Sequence, residues 1–212
     1  MSASEPGTGA LRTEPASSGT DVWVMRRRSC GSNPGSRDTE AEVGRVLDGY
    51  LDGASTILAR DARGKPYLEG VDRLWVSIAH SRSVALLAVS CDADVGVDIE
   101  QSQDRGLRSL LAQALGDDER AALELLPAAD RAQAFLTYWV RKEAILKAAG
   151  VGLAVDPSLI EVSAPWDEPA IHVLPGALGP RSEWTLLDLD MPGYAAAVAV
   201  RQSSATVRLV AS

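Results

Sequence analysis

The sequence predicts a protein of the α+β class, because its strand-like and helix-like segments occur in separate blocks along the chain. Three strand-like runs rich in β-branched and aliphatic residues are predicted to form a meander: 74–80, 84–90 and 95–100. The next block consists of three segments with helical spacing of apolar residues: 105–115, 117–126 and 130–149. Five shorter strand-like runs then follow: 159–163, 170–174, 184–189, 194–200 and 206–210. Strands, then helices, then strands again is the order typical of an α+β fold, whereas an α/β fold would alternate them.

The segments near the N-terminus are shorter and more often interrupted. Residues 1–20 are mostly small and polar, which predicts a disordered tail. Residues 21–25 (DVWVM) predict a first strand, and Asp38 is a suitable cap for a helix that continues through Leu51. Residues 60–66 (RDARGKP) have the composition of a turn.

The chain changes character after residue 100, where strand-like runs give way to helices. We therefore predict an N-terminal half, 21–103, and a C-terminal half, 104–212. The longest helix is predicted to begin at Asp130 and to end at Ala149, because Gly150 is the residue type that most often closes a helix.

The overall composition excludes several classes of function. The chain carries 21 Lys and Arg against 29 Asp and Glu, a net charge of −8, so it is not a general binder of nucleic-acid backbones. Its two cysteines, Cys30 and Cys91, form no metal-ligand spacing and no disulfide framework, which favours a reducing, cytoplasmic setting. No apolar run approaches the roughly 18 residues of a membrane span. We expect a cytoplasmic protein that binds neither nucleic acid nor membranes.

The run DVGVDIE, residues 94–100, places two acids one residue apart in a predicted strand. Because side chains alternate between the faces of a strand, Asp98 and Glu100 should point to one side and Val97 and Ile99 to the core. Taken alone, such a pair is most simply a solvated strand edge. A metal ion is the other explanation.

The predicted helix over 130–149 carries a third acid in a well-defined place. Trp139, Glu143 and Lys147 are four residues apart and should form one column on the helix. The simplest interpretation of Glu143 and Lys147 is an exposed ion pair worth a few tenths of a kcal/mol. Together with Asp98 and Glu100, however, Glu143 would complete a set of three hard oxygen ligands, the kind that Mg²⁺ prefers.

The charges of such a site favour a phosphate-containing ligand. Three carboxylates and one Mg²⁺ leave a net charge of −1, so an additional diphosphate would be repelled unless cations lie close by. The same segments supply candidates for these cations: Lys65, His80, Lys142 and Lys147. A solvated surface would not require this coincidence of acids and bases.

Four motifs resemble those of the 4′-phosphopantetheinyl transferase superfamily. VGVDIE (95–100) and YWVRKEAILKAAGVGL (138–153) are similar to its two signature motifs. GKP (64–66) and WVSIAHS (75–81) are similar to the upstream motifs of its Sfp-type branch, and all four occur in the family order. The resemblance implies a fold of two similar α/β halves that form an intrachain pseudo-dimer, with the site between them.

This resemblance also implies an activity and roles for individual residues. The family transfers the 4′-phosphopantetheine arm of coenzyme A to a serine of an apo acyl or peptidyl carrier protein and releases 3′,5′-ADP. By similarity, Asp98, Glu100 and Glu143 would bind Mg²⁺ or Mn²⁺. Glu143 would act as the base toward serine, and Lys147 would neutralise the departing phosphate. The residues expected to contact coenzyme A are Lys65, Pro66, His80, Ser81, Asp98, Lys142 and Lys147.

Two positions depart from the family pattern, and two other functions remain open. Ala79 and Val140 stand where hydroxyl-bearing residues are common, but neither position supplies a metal ligand. One alternative is a coenzyme A-binding module without turnover. The other is a Mg²⁺-dependent phosphohydrolase, which would act on coenzyme A without a carrier. The length of the chain is that expected of a self-contained pseudo-dimer, so we expect a monomer.

Overall fold

The structure is a computed structural model, and it describes residues 19–26, 37–51, 56–101 and 114–211. The predicted helix over 105–115 and the predicted tail over 1–20 lie almost entirely outside the described residues. The α+β class is confirmed. Within the described residues, no helix combines the length and the apolar character needed to cross a membrane.

The first sheet has four strands in the order β11–β1–β5–β4. Its strands are β1 (Thr20–Arg26), β4 (Trp75–Ser81), β5 (Val84–Ser90) and β11 (Val207–Ala211). Strand β1 runs antiparallel to β5 and parallel to β11. Helix α1 (Arg37–Asp48) packs on one face through Val43 and Leu47. A small antiparallel hairpin, β2 (Leu58–Arg60) and β3 (Pro66–Leu68), lies beside it.

The second sheet has three antiparallel strands in the order β6–β10–β9. They are β6 (Val95–Gln101), β9 (Thr185–Asp188) and β10 (Tyr194–Val200). The short helix α2 (Asp117–Glu124) precedes the long helix α3 (Arg131–Ala149), which packs against β6 and β10. Gly150 closes α3 with a φ of 66°, so the predicted end of this helix is confirmed. A two-stranded ribbon follows, formed by β7 (Glu161–Val162) and β8 (Ile171–Val173).

The predicted meander is wrong at its third strand. Strands β4 and β5 form a hairpin, but β6 pairs with β10 in the second sheet. Near the other end of the chain, β11 returns to pair with β1. Each of these two sheets therefore pairs strands that lie on opposite sides of residue 103 in the sequence. The division into halves 21–103 and 104–212 stays a prediction.

Strand β6 separates two environments in the way the alternation predicts. Val95, Val97 and Ile99 belong to a buried cluster that also contains residues of the first sheet, such as Val22 and Leu86. The opposite face of β6 meets α3. This arrangement explains why a strand with an apolar core face carries carboxylates on its other side.

Gly96 allows β6 and α3 to approach each other closely. A Cβ atom at this position would lie 2.0 Å from the carbonyl oxygen of Ala144 and 2.3 Å from the amide nitrogen of Ala148. Next to this contact, the Val97 amide donates a hydrogen bond of 3.1 Å to the Ser77 hydroxyl of β4. The edges of the two sheets therefore meet at the strand that carries Asp98 and Glu100.

Candidate active site

The centre of the candidate site is an ion pair between β6 and α3. Lys147 Nζ donates to Asp98 Oδ1 at 2.6 Å and lies 3.4 Å from the carbonyl oxygen of Val97. Asp98 is only 5% exposed. The strand and the helix that the sequence singled out are thus brought together by these two side chains.

The predicted column on α3 is confirmed at its core end. Trp139 is buried in the cluster that joins α3 to the second sheet, and Glu143 and Lys147 are partly exposed one and two turns further on. A buried tryptophan at one end of the column fixes the rotation of the helix about its own axis. Glu143 and Lys147 must then face the edge of the core where β6 passes.

The electrostatics of the site depend mainly on burial. Burial raises the pKa of Asp98, although the charge of Lys147 opposes this effect. For Glu143, burial and then the charge of Asp98 raise the pKa from 4.5 to about 7. Burial disfavours the Lys147 ammonium, but the charge of Asp98 and its hydrogen bond, with smaller contributions from Glu143 and Glu100, raise the pKa of Lys147. All three carboxylates therefore act on one cation.

The predicted metal ligands provide suitable donor atoms, but their side chains are not grouped as a metal site. In the parts of the chain that the structure describes, no three His, Cys, Asp or Glu side chains are grouped closely enough to hold a metal ion. Asp98 Oδ2, however, is buried and has no hydrogen-bond partner. An acceptor of this kind is costly to bury unless a ligand satisfies it. The donor chemistry of Asp98, Glu100 and Glu143 therefore fits a hard cation, and the three-carboxylate site stays a prediction.

His80 and Ser81 are the last two residues of β4. The His80 side chain is exposed, and its charge makes a small contribution that lowers the pKa of Asp98. His80 also lines a cavity of about 450 Å³ between α1 and the β2–β3 hairpin, together with Leu47, Arg60 and Ile78. Ser81 is 9% exposed. His80 therefore lines the cavity and has a small electrostatic effect on Asp98.

Lys65 and Pro66 lie at the start of β3, and Lys65 reaches from there to the second sheet and its helix. Lys65 Nζ is 2.6 Å from Asp94 Oδ1 and 2.6 Å from the carbonyl oxygen of Ala148. Pro66 is buried. The GKP turn therefore contacts the end of α3 that carries Lys147.

Lys142 requires a correction, because its ammonium is not available to coenzyme A. The side chain is fully buried, and Nζ forms an ion pair with Glu119. The other two Nζ hydrogen bonds go to the carbonyl oxygens of Ala114, at 2.8 Å, and Pro157, at 3.1 Å. An ammonium has three N–H donors, and all three of these are used within the protein. We leave Lys142 out of the proposed coenzyme site.

Two residues important for the site were missed from the sequence. Asp94, the first residue of the DVGVDIE run, is the partner of Lys65. Arg141 is fully buried and binds both carboxylate oxygens of Asp188, at 2.9 and 2.6 Å, and the carbonyl oxygen of Ser163 at 2.7 Å. Arg141 thereby fastens α3 to β9. The available signal was the position of Arg141 between two buried helix residues. Because arginine is almost never buried without partners, this position indicates a paired arginine.

Comparison with known proteins identifies the family of this chain. The ACPS model of the 4′-phosphopantetheinyl transferase superfamily matches residues 94–199, half of the chain, from the residue before β6 to the last residue but one of β10. This chain belongs to the 4′-phosphopantetheinyl transferase superfamily. The match includes Asp98, Glu143 and Lys147. The superfamily assignment made from the motifs is thus confirmed, while the Sfp-type branch and the pseudo-dimer of similar halves stay predictions.

Individual relatives agree with this assignment. The 4′-phosphopantetheinyl transferase HetI of a Nostoc species is 34% identical over 152 residues, which cover 68% of this chain and 60% of HetI. The 4′-phosphopantetheinyl transferase AcpT of Salmonella typhimurium is 35% identical over 89 residues, which cover 42% of this chain and 46% of AcpT. The chain thus spans less than two thirds of the length of these relatives.

A similar solved structure is the holo-(acyl-carrier-protein) synthase of Thermotoga maritima, with 21% identity and a TM-score of 0.43, covering 52% of this chain and 64% of that chain.

Proposed function

We propose that the protein transfers the 4′-phosphopantetheine arm of coenzyme A to a serine of an apo acyl or peptidyl carrier protein. The observation that carries this proposal is the ion pair of the buried Asp98 with the partly exposed Lys147, with Glu143 one turn away from Lys147 on the same helix. These three side chains lie within the segment that matches the superfamily. They combine acceptors for a cation, a carboxylate base and a cation for a phosphate in one place.

The reaction moves one phosphoryl group and one proton. The serine oxygen forms a bond to the phosphorus that bears the pantetheine arm, and the bond from that phosphorus to the bridging oxygen breaks. The bridging oxygen leaves with 3′,5′-ADP. The serine proton passes to Glu143, directly or through a water molecule. A carboxylate beside the serine hydroxyl can accept this proton as the new phosphorus–oxygen bond forms.

Asp98, Glu100 and Glu143 would hold Mg²⁺, for which Mn²⁺ is a possible substitute. When bound, the ion supplies positive charge to the diphosphate and polarises the phosphorus that is attacked. The unpartnered Asp98 Oδ2 supports this assignment, since a cation would satisfy it. Lys147, now hydrogen-bonded to Asp98, would stabilise the charge on the departing 3′,5′-ADP.

The coenzyme would extend from this centre toward the β2–β3 hairpin. His80 has an electrostatic effect on Asp98 and lines the cavity of about 450 Å³, which is within the usual size of small-molecule sites. We propose that the adenosine end of coenzyme A occupies this cavity, where Arg60 and His80 supply the basic groups of the lining. The contacts expected of Pro66 and Ser81 stay predictions. Lys65 Nζ is already bonded to Asp94 and to the carbonyl oxygen of Ala148, so the coenzyme contact expected of Lys65 is not part of this arrangement.

The cellular setting and the oligomeric state are part of the proposal. The spacing of Cys30 and Cys91 suggests no disulfide framework, which suits the reducing cytoplasm. A single chain brings β6 and α3 together, so the proposed reaction needs no residue from a second copy. We therefore propose a cytoplasmic enzyme that acts as a monomer on coenzyme A and a carrier protein.

Intact-mass spectrometry of apo carrier proteins tests this function. The protein is incubated with coenzyme A, Mg²⁺ and carriers of the polyketide, peptide and fatty-acid types. We expect one carrier to gain a single phosphopantetheinyl group, with release of an equal amount of 3′,5′-ADP. Coenzyme binding without 3′,5′-ADP release would identify a binding module. Release of 3′,5′-ADP without any carrier would identify a hydrolase, and either result would overturn the proposal.

A matched pair of variants separates the site from the fold. Glu143→Gln and Asp98→Asn keep the size of each side chain but remove its charge. We expect each to lower transfer by about 100-fold or more, as is typical when a charged group acts on the transition state. Circular dichroism should show folded proteins, because neither substitution changes the packing of α3 against β6.

A further inference from the structure

Lys65 lies in a turn whose hydrogen bonds do not involve the Lys65 side chain. Asp61 Oδ1 accepts hydrogen bonds from the amides of Arg63 at 2.8 Å and Lys65 at 2.9 Å, and Gly64 supplies the positive φ of 85° that the turn requires. The Lys65 side chain is not used in these contacts. It leaves the turn and is 18% exposed where it meets the second sheet and its helix.

The ammonium of Lys65 caps the C-terminus of α3. The last carbonyls of a helix have no partner inside the helix. Here the amides of Gly150 and Val151 bond the carbonyls of Leu146 and Lys147, and Lys65 Nζ donates to the next carbonyl, that of Ala148, at 2.6 Å. A cation at this end of a helix is stabilised by the helix dipole. The stem of Lys65 also packs there, because a Cβ on Gly150 would lie 3.0 Å from its Cδ.

The same ammonium holds the start of β6. Lys65 Nζ donates to Asp94 Oδ1 at 2.6 Å, and Asp94 directly precedes the strand that carries Asp98. Ala148, the other partner, directly follows Lys147 on α3. A single side chain therefore joins the two elements whose residues form the Asp98–Lys147 ion pair.

We propose that Lys65 is a positioning residue, which sets α3 against β6 and thereby sets Glu143 and Lys147 relative to Asp98. This role rests on the proposed function for its activity readout. It differs from a coenzyme contact, because it requires Asp94 as much as Lys65. A displacement of about 1 Å at a reacting centre can cost up to about 100-fold in rate, so a small shift of α3 would be visible in kcat.

Three variants and one control test the role of Lys65. Lys65→Ala and Asp94→Ala should each lower kcat for phosphopantetheinyl transfer about tenfold or more, and the double variant should be no slower than Lys65→Ala. The KM for coenzyme A should change by less than about twofold. The control, Arg63→Ala, removes an exposed cation from the same turn and should behave as wild type.

Two readouts separate positioning from coenzyme binding. Amide hydrogen exchange in the last turn of α3 should be faster in Lys65→Ala and in Asp94→Ala, while both variants keep the wild-type affinity for 3′,5′-ADP. A tenfold weaker binding of 3′,5′-ADP in Lys65→Ala alone, with unchanged exchange, would make Lys65 a coenzyme ligand and overturn the inference.

The inference and the proposed function fail in different ways. If wild type modifies no carrier, the proposed function is wrong. The role of Lys65 is then still decided by hydrogen exchange and by the unfolding free energies of the Lys65 and Asp94 variants. In that case, unchanged exchange or fully additive effects of Lys65→Ala and Asp94→Ala on unfolding would overturn the positioning role.

Discussion

Replacing Gly96 with alanine should separate β6 from α3. The added methyl group would lie 2.0 Å from the carbonyl oxygen of Ala144 and 2.3 Å from the amide nitrogen of Ala148, whereas ordinary contacts begin at 3.4 Å. Both atoms belong to the backbone of α3, so no side-chain rotation relieves the overlap. The helix would have to move away from β6 by more than an ångström. The bonds between Arg141 and Asp188 oppose this movement.

The magnitude follows from the size of this overlap. Overpacking a core with one methyl group costs typically about 1–3 kcal/mol, and a rigid backbone neighbour puts Gly96→Ala at or above about 3 kcal/mol. The loss of unfolded-state entropy that favours alanine offsets at most about 1 kcal/mol. For a chain of this length, about 1 kcal/mol corresponds to roughly 2–4 °C in Tm, so we expect a fall of at least about 4 °C.

Thermal unfolding followed by circular dichroism measures this effect, and Gly44→Ala provides the matched control. Gly44 lies on the exposed face of α1, and a Cβ there would meet no atom within 4 Å. The control should gain about 0.5–1 kcal/mol, because glycine is unfavourable inside a helix. A Tm for Gly96→Ala within about 1 °C of wild type would refute the close contact between strand and helix.

Two other substitutions test the electrostatics of the site. Without divalent ions, the stability that Glu143 contributes through its raised pKa should be complete below about pH 4.5 and lost by about pH 7, a change of about 3 kcal/mol. The unfolding free energy of Glu143→Gln, measured by urea titration, should therefore depend less on pH than that of wild type. The stability of the variant relative to wild type should increase as the pH rises. If the unfolding free energies of the two proteins changed with pH in parallel, the raised pKa of Glu143 would be wrong. Lys142→Met leaves Glu119 buried without its partner and should cost about 3–5 kcal/mol in urea unfolding, with unchanged affinity for coenzyme A. Weaker coenzyme binding at nearly wild-type stability would return Lys142 to the coenzyme site.

The local periodicity of the sequence predicted the centre of the site. The alternation along β6 identified Val97 and Ile99 as core residues and left Asp98 on the other face. The spacing of four residues on α3 placed Glu143 and Lys147 in one column. These predictions held because the direction of a side chain follows from the geometry of its own strand or helix.

Local periodicity could not predict contacts between distant parts of the chain. Strand β6 pairs with β10, nearly a hundred residues later, and no local pattern distinguishes this pairing from a meander with β5. Helical spacing gave the direction of Lys142, but not that Glu119 of another helix would meet it there. Lys65 was expected in a turn, whereas its bond to the end of α3 depends on how the two sheets pack together.

Transfer to an apo carrier protein by wild type and by Asp98→Asn, compared side by side in Mg²⁺, is the most direct test of how this site works. If carboxylate oxygens from β6 and α3 hold a cation at the coenzyme diphosphate, wild type adds one phosphopantetheinyl group per carrier and Asp98→Asn adds almost none. An Asp98→Asn protein that modified the carrier at the wild-type rate would show that the chemistry takes place elsewhere.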